Sequence, residues 1–110
     1  MTPPQKETKK NNLTIPKENL TSIERISKIC KERDIELVFF KSPSADWTES
    51  YKTLVKVFME ENNYCFVDLN NYYKEIGIEW EKDFYDGAHL NKYGAKKTTD
   101  YLAKLIKPII

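Results

Sequence analysis

Glycine is scarce in this 110-residue chain, with three copies, Gly77, Gly87 and Gly94, all in its last third. A glycine-rich phosphate loop has nothing to be built from. Cysteine occurs twice, as Cys30 and Cys65, too far apart for a zinc-ligand spacing and too few for a disulfide framework. Both fall within apolar patterns, which predicts two small buried hydrophobes in a reducing setting. His89 is the only histidine and the carboxylates are scattered along polar helix faces, so no metal or cofactor is called for. The longest apolar runs, Leu37–Phe40 and Cys65–Val67, fall far short of the ~20 residues of a membrane span. Met1 to Asn12 hold no apolar residue after Met1, so no secretory signal is visible and the chain as given reads as cytoplasmic. An excess of one charge is also missing. Eighteen Lys and Arg face seventeen Asp and Glu, a balance that gives no reason to expect nucleic acid or an anionic membrane as partner.

What is present fits one small soluble domain, since 40% hydrophobic and 13% aromatic residues argue against disorder. Residues 1–16, with Pro3, Pro4 and several lysines, read as a disordered leader or a truncation scar, and residues 17–110 as the domain. Leu20, Ile23, Ile26, Ile29 and Cys30 recur at helical spacing, so Glu18–Arg33 is an amphipathic helix ended by Asp34. Ile35–Phe40 follows as a nearly unbroken apolar run, the pattern of a parallel strand covered on both faces. A loop from Lys41 to Trp47 leads to a second helix, capped by Asp46 or Thr48 and broken at Asn62-Asn63. Tyr64–Leu69 reads as a second strand. The aromatic stretch Asn70–His89 is irregular, with a helical turn near Tyr72–Ile76, and a last helix starts at Asn91 or Lys92 and runs to Pro108. This order predicts an α/β fold, part of a doubly wound parallel sheet, with two strands flanked by three main helices.

In such a sheet the ligand edge is the carboxyl end of the strands, where the Lys41–Trp47 loop and the start of the last helix should meet. The candidate chemistry lies there. Asp86 precedes His89 by three positions with Gly87 between, so its carboxylate can fold back to take the Nδ1 proton. That bond would leave Nε2 as a free base and stabilise the imidazolium once formed. A purely structural pair, with Asp86 capping a turn, is the alternative that spacing alone leaves open. Tyr72, Tyr73, Trp80, Phe84 and Tyr85 either form a stacking platform beside this site or pack in the core and its rim.

Asp86-Gly87-Ala88-His89-Leu90-Asn91, followed by Gly94-Ala95 and an amphipathic helix, resembles the last motif block of the SGNH, or GDSL-type, hydrolases. Upstream, Ile35–Trp47, Tyr64–Leu69 and Ile76–Asp86 are similar to a bacterial branch of that family, so the resemblance spans roughly residues 18–107. It implies a flavodoxin-like sheet, with Asp86 and His89 as the acid and base of a serine esterase or deacetylase. The substrate it implies is an acyl ester, acetyl among them, of a saccharide or other alcohol. The family's nucleophile motif, Gly-Asp-Ser, and its Gly-x-Asn-Asp motif are both absent from these residues. Ser42 and Ser44 approach the right edge but sit in no strand-turn-helix elbow. The expectation is therefore a domain portion inactive alone, or else a non-catalytic binding or assembly module. A two-stranded sheet also leaves the Ile35–Phe40 edge free, which predicts a homo-oligomer joined there.

Overall fold

The computed structural model describes residues 14–86 and 88–107. Most of the expected leader (residues 1–13), Gly87 and residues 108–110 lie outside the described residues. The protein is a mixed α/β chain: α1 (Lys17–Glu32), β1 (Val38–Lys41), α2 (Glu49–Glu61), β2 (Cys65–Asp68), a 3₁₀ turn (Leu69–Tyr72), the short α3 (Tyr73–Ile76) and α4 (Lys92–Ile106). The two strands pair in parallel, with Val38 opposite Cys65 and Lys41 opposite Asp68.

Three helices end in the same way, on a residue with positive φ. Asp34 (φ 55°), Asn63 (φ 57°) and Gly77 (φ 85°) each reverse the chain after α1, α2 and α3. In each case the next amide bonds a carbonyl one turn back: Ile35 to Cys30 at 2.8 Å, Tyr64 to Met59 at 2.9 Å, Ile78 to Tyr73 at 2.9 Å. These are Schellman closures, for which a short polar side chain or glycine is the cheapest residue. They also explain why both strands are shorter than their apolar runs. Ile35 and Tyr64 are spent on closing helices, so pairing starts at Val38 and Cys65. Thr48, rather than Asp46, caps α2, and Asn91 caps α4 through bonds from the Tyr93 and Gly94 amides.

The expectation that β1 is covered on both faces is corrected: Phe40 is 49% and Ile35 53% exposed. Cys65 is exposed and Cys30 only half-buried, so neither is the buried hydrophobe expected. The amphipathic α1 forms, but none of its residues is buried, and Ile26 and Ile29 stay largely open.

The core sits past the strand ends instead. Leu69, Ile76, Ile78 and Trp80 form a buried cluster on which Ala45, Val67, Phe84, Leu90 and the inner face of α4 pack. A buried polar net stitches the two loops that leave this end of the sheet. Asn70 Oδ1 accepts from the Ser44 amide (2.8 Å), while Asp68 accepts from Asn70 and from Trp47 Nε1 (2.9 Å). α4 comes close because Gly94 lacks a Cβ: one built there would lie 2.4 Å from the Asp83 carbonyl oxygen and 2.8 Å from Leu90 Cδ2.

That contact yields a sign that helix propensity alone gets wrong. Gly→Ala inside a helix ordinarily stabilises by about 1 kcal/mol. Here the obstacle is backbone oxygen, so Gly94→Ala is expected to destabilise by about 1–3 kcal/mol, the usual cost of overpacking. Urea unfolding measures it, and a variant as stable as the parent would show that α4 is free to move away.

Candidate functional site

The Asp86–His89 turn is held at its base by two backbone bonds, the Asn91 amide to the Asp83 carbonyl and the Tyr85 amide to the His89 carbonyl, both 2.9 Å. Between them Phe84 and Leu90 form an antiparallel bridge, and both pack on the core cluster. Beneath this base lies Asp83, 2% exposed, whose Oδ2 accepts from the Glu79 amide and from Lys97 Nζ, each at 2.8 Å. Lys97 also donates to the Gly77 carbonyl (3.0 Å), and Asn91 Nδ2 donates to the Lys82 carbonyl (2.7 Å). Hydrogen bonding to Asp83 raises the Lys97 ammonium above the ordinary lysine value.

On the turn itself one oxygen does most of the work. Asp86 Oδ1 accepts from the Ala88 amide (2.8 Å), the His89 amide (2.9 Å) and His89 Nδ1 (3.0 Å), and Oδ2 stands 3.1 Å from the same ring nitrogen. An ionised carboxylate can only accept, so the neutral imidazole carries its proton on Nδ1 and leaves Nε2 as the base. Among the described residues Nε2 has no protein partner, and the imidazole side chain is 75% exposed. The Ala88 amide first, and the His89 ring second, hold the Asp86 carboxyl below the usual aspartate range. The Asp86–His89 contact expected from the spacing is thus present, and the same oxygen also caps the turn, as the structural alternative has it.

Among the described residues no serine hydroxyl is hydrogen-bonded to His89. Ser44 is 1% exposed and its hydroxyl donates to Asp46, so it is closed to a substrate. Among the described residues no side chain other than Asp86 bonds the histidine, and none of the His, Cys, Asp or Glu groups cluster as metal ligands would. No family model matches the chain, and no curated protein or solved structure matches it significantly. By its own geometry the site can take a proton at Nε2 and hold the resulting imidazolium against a carboxylate.

The expected aromatic platform divides. At the core Trp80 meets Tyr73 in a tilted pair (5.4 Å between ring centroids) and Phe84 in a stacked one (5.1 Å), and Tyr72 leans on Tyr101. Tyr85 alone of the five stands clear, at 81% exposure. The role of Asp83 escaped the sequence, because nothing in Lys82-Asp83-Phe84 distinguishes a buried carboxylate from a solvated one. Its only trace is an aromatic neighbourhood on both sides.

Asp86, followed by carbon-detected NMR, is expected to titrate below free aspartate. It should remain partly lowered in His89→Ala, because the larger cause, the Ala88 amide, survives. A depressed folded pKa means the turn is stabilised above the unfolded aspartate value, and that contribution is lost as pH falls through the folded one. Titration at the free value would mean that the turn is open in solution.

Proposed function

We propose that this chain supplies the general base, His89, and its orienting acid, Asp86, to a serine-type ester hydrolase of the SGNH kind, the nucleophile lying on a segment outside these residues. The observation that carries this reading is the Asp86 Oδ1–His89 Nδ1 bond of 3.0 Å with Nε2 left free. The parallel pair of strands and the site's place beyond their carboxyl ends support it further. In the reaction Nε2 takes the serine proton as the oxygen attacks the ester carbonyl. Asp86 stabilises the imidazolium, and the proton then passes to the departing alcohol. The substrate is an acyl ester, an acetylated saccharide in the first instance.

The chain carries neither the Gly-Asp-Ser nor the Gly-x-Asn-Asp motif, whose nucleophile and oxyanion donors provide much of the rate in that chemistry. Its hydrolysis of p-nitrophenyl acetate is expected to match a His89→Ala control. In protein extended by its preceding coding sequence, His89→Ala should cost about a millionfold in kcat and Asp86→Asn about ten-thousandfold. Equal and small losses, or no Gly-Asp-Ser segment in that coding sequence, would overturn the reading.

The open side of β1 favours a second reading, a non-catalytic assembly module. Among the described residues β1 pairs with one strand, which leaves its other edge free, and Phe40 on it is about half exposed. Such an edge invites pairing with a second copy. Light scattering at micromolar concentration is expected to give a dimer, and Phe40→Lys a monomer. A monomeric parent would refute self-association.

A further inference from the structure

We infer that Tyr85 is a stacking subsite for the sugar ring of the ester's alcohol part, presented on the same face as the base. Asp83–Asn91 and Tyr85–His89 backbone bonds flank the Phe84–Leu90 bridge, which makes Tyr85 and His89 the next opposed pair. Opposed residues of an antiparallel pair project to one side, with Cβ atoms about 5 Å apart. Phe84 and Leu90 turn toward the core cluster, so Tyr85 and His89 project away from it together. Their exposures agree: Tyr85 is 81% exposed and the His89 side chain 75%.

The Tyr85 ring also differs from the other exposed tyrosines. Tyr51 stacks on Trp47, Tyr72 lies against Tyr101, and Tyr93 carries the Lys92 ammonium 5.0 Å above its face. Among the described residues Tyr85 has no aromatic or cationic partner. Its backbone is nevertheless pinned by the His89 carbonyl, so the ring is offered from a fixed turn at little ordering cost. An apolar ring face next in sequence to Asp86 and opposed to His89 across the turn suits a ligand with an apolar C–H face and a polar girdle. A pyranose has that form, and an alkyl chain does not.

The ligand class rests on the ester-hydrolase reading, whereas binding is measured without turnover. The probe is methyl tetra-O-acetyl-β-D-glucopyranoside, titrated into the full chain labelled at tyrosine and histidine and followed by NMR. The single histidine makes the His89 Cε1–H signal unambiguous. Saturable shifts of the Tyr85 ring and His89 signals are expected, with the sugar ring protons moved upfield. Tyr85→Ala should weaken binding about tenfold and Tyr85→Phe leave it intact, the upper range for one aromatic face. Tyr85 is exposed, so unchanged amide spectra elsewhere will verify that the variant folds. Equal binding by Tyr85→Ala, absence of shifts, or equal shifts with ethyl butyrate would each overturn the subsite. Tyr85-dependent binding in an extended protein that hydrolyses nothing would uphold the subsite and refute the hydrolase.

Discussion

One buried carboxylate holds together the end of the molecule that carries the candidate site. Asp83 is almost wholly removed from water, and a charge so placed is tolerated only when paired and hydrogen-bonded. Both conditions are met by Lys97 from α4 and the Glu79 amide from the preceding turn. The same residue gives its carbonyl to Asn91, the cap of α4, and that carbonyl is the atom against which Gly94 packs. A side chain, a main-chain bond and a missing Cβ therefore fix one helix against one loop. The turn that carries Asp86 and His89 springs from this fixed base, which sets where it stands, while its own bonds set its shape. Because the Lys97 pKa is raised, the contribution of that ion pair is complete below the ordinary lysine value and fades as pH rises through the folded one.

The rest of the chain is held less firmly, and the distribution is uneven. Beyond the carboxyl ends of the strands lie Leu69, Ile76, Ile78 and Trp80, together with the net of Ser44, Asp68 and Asn70. Burial holds Lys41, at the same end, below the ordinary lysine value, against the pull of Asp46 and Asp68. On the other side, α1 contributes no buried residue, and its Leu20 only lines an apolar groove with Leu54, Val57 and Phe58 of α2. Local opening should therefore begin at α1, while the site end persists, since protection follows buried contacts.

Sequence patterns identified the elements but not their economy. The helical spacing of α1 and α2, the stops at Asp34 and Asn62-Asn63, and the Asn91 cap are local features, written in consecutive residues and read without tertiary context. The strand bounds failed because Ile35 and Tyr64 look like strand residues, yet their amides close the preceding helices. The coverage of β1 failed for another reason. Apolarity on both faces records what a strand is suited to touch, and about half of Phe40 here is left open to water. The Asp86–His89 link was legible because it is a three-residue relation within one turn. Asp83 and Lys97, fourteen positions apart, form a contact that only the packing of α4 creates.

The exposure of the base bears on what kind of partner could make it chemically useful. Preorganisation is already built in, since three donors converge on one Asp86 oxygen and fix the imidazole's tautomer. Desolvation is not, with the imidazole side chain three-quarters open to water. Coulomb attraction varies inversely with dielectric, so passing from water to an effective value near 20 would strengthen the carboxylate–imidazolium pair about fourfold. On the proposed reading an ester and a nucleophile brought to Nε2 would cover this turn, and covering it would strengthen the interaction that proton transfer to the ring calls on. The turn holds its shape in the open state, and its full strength as an acid–base pair depends on being covered.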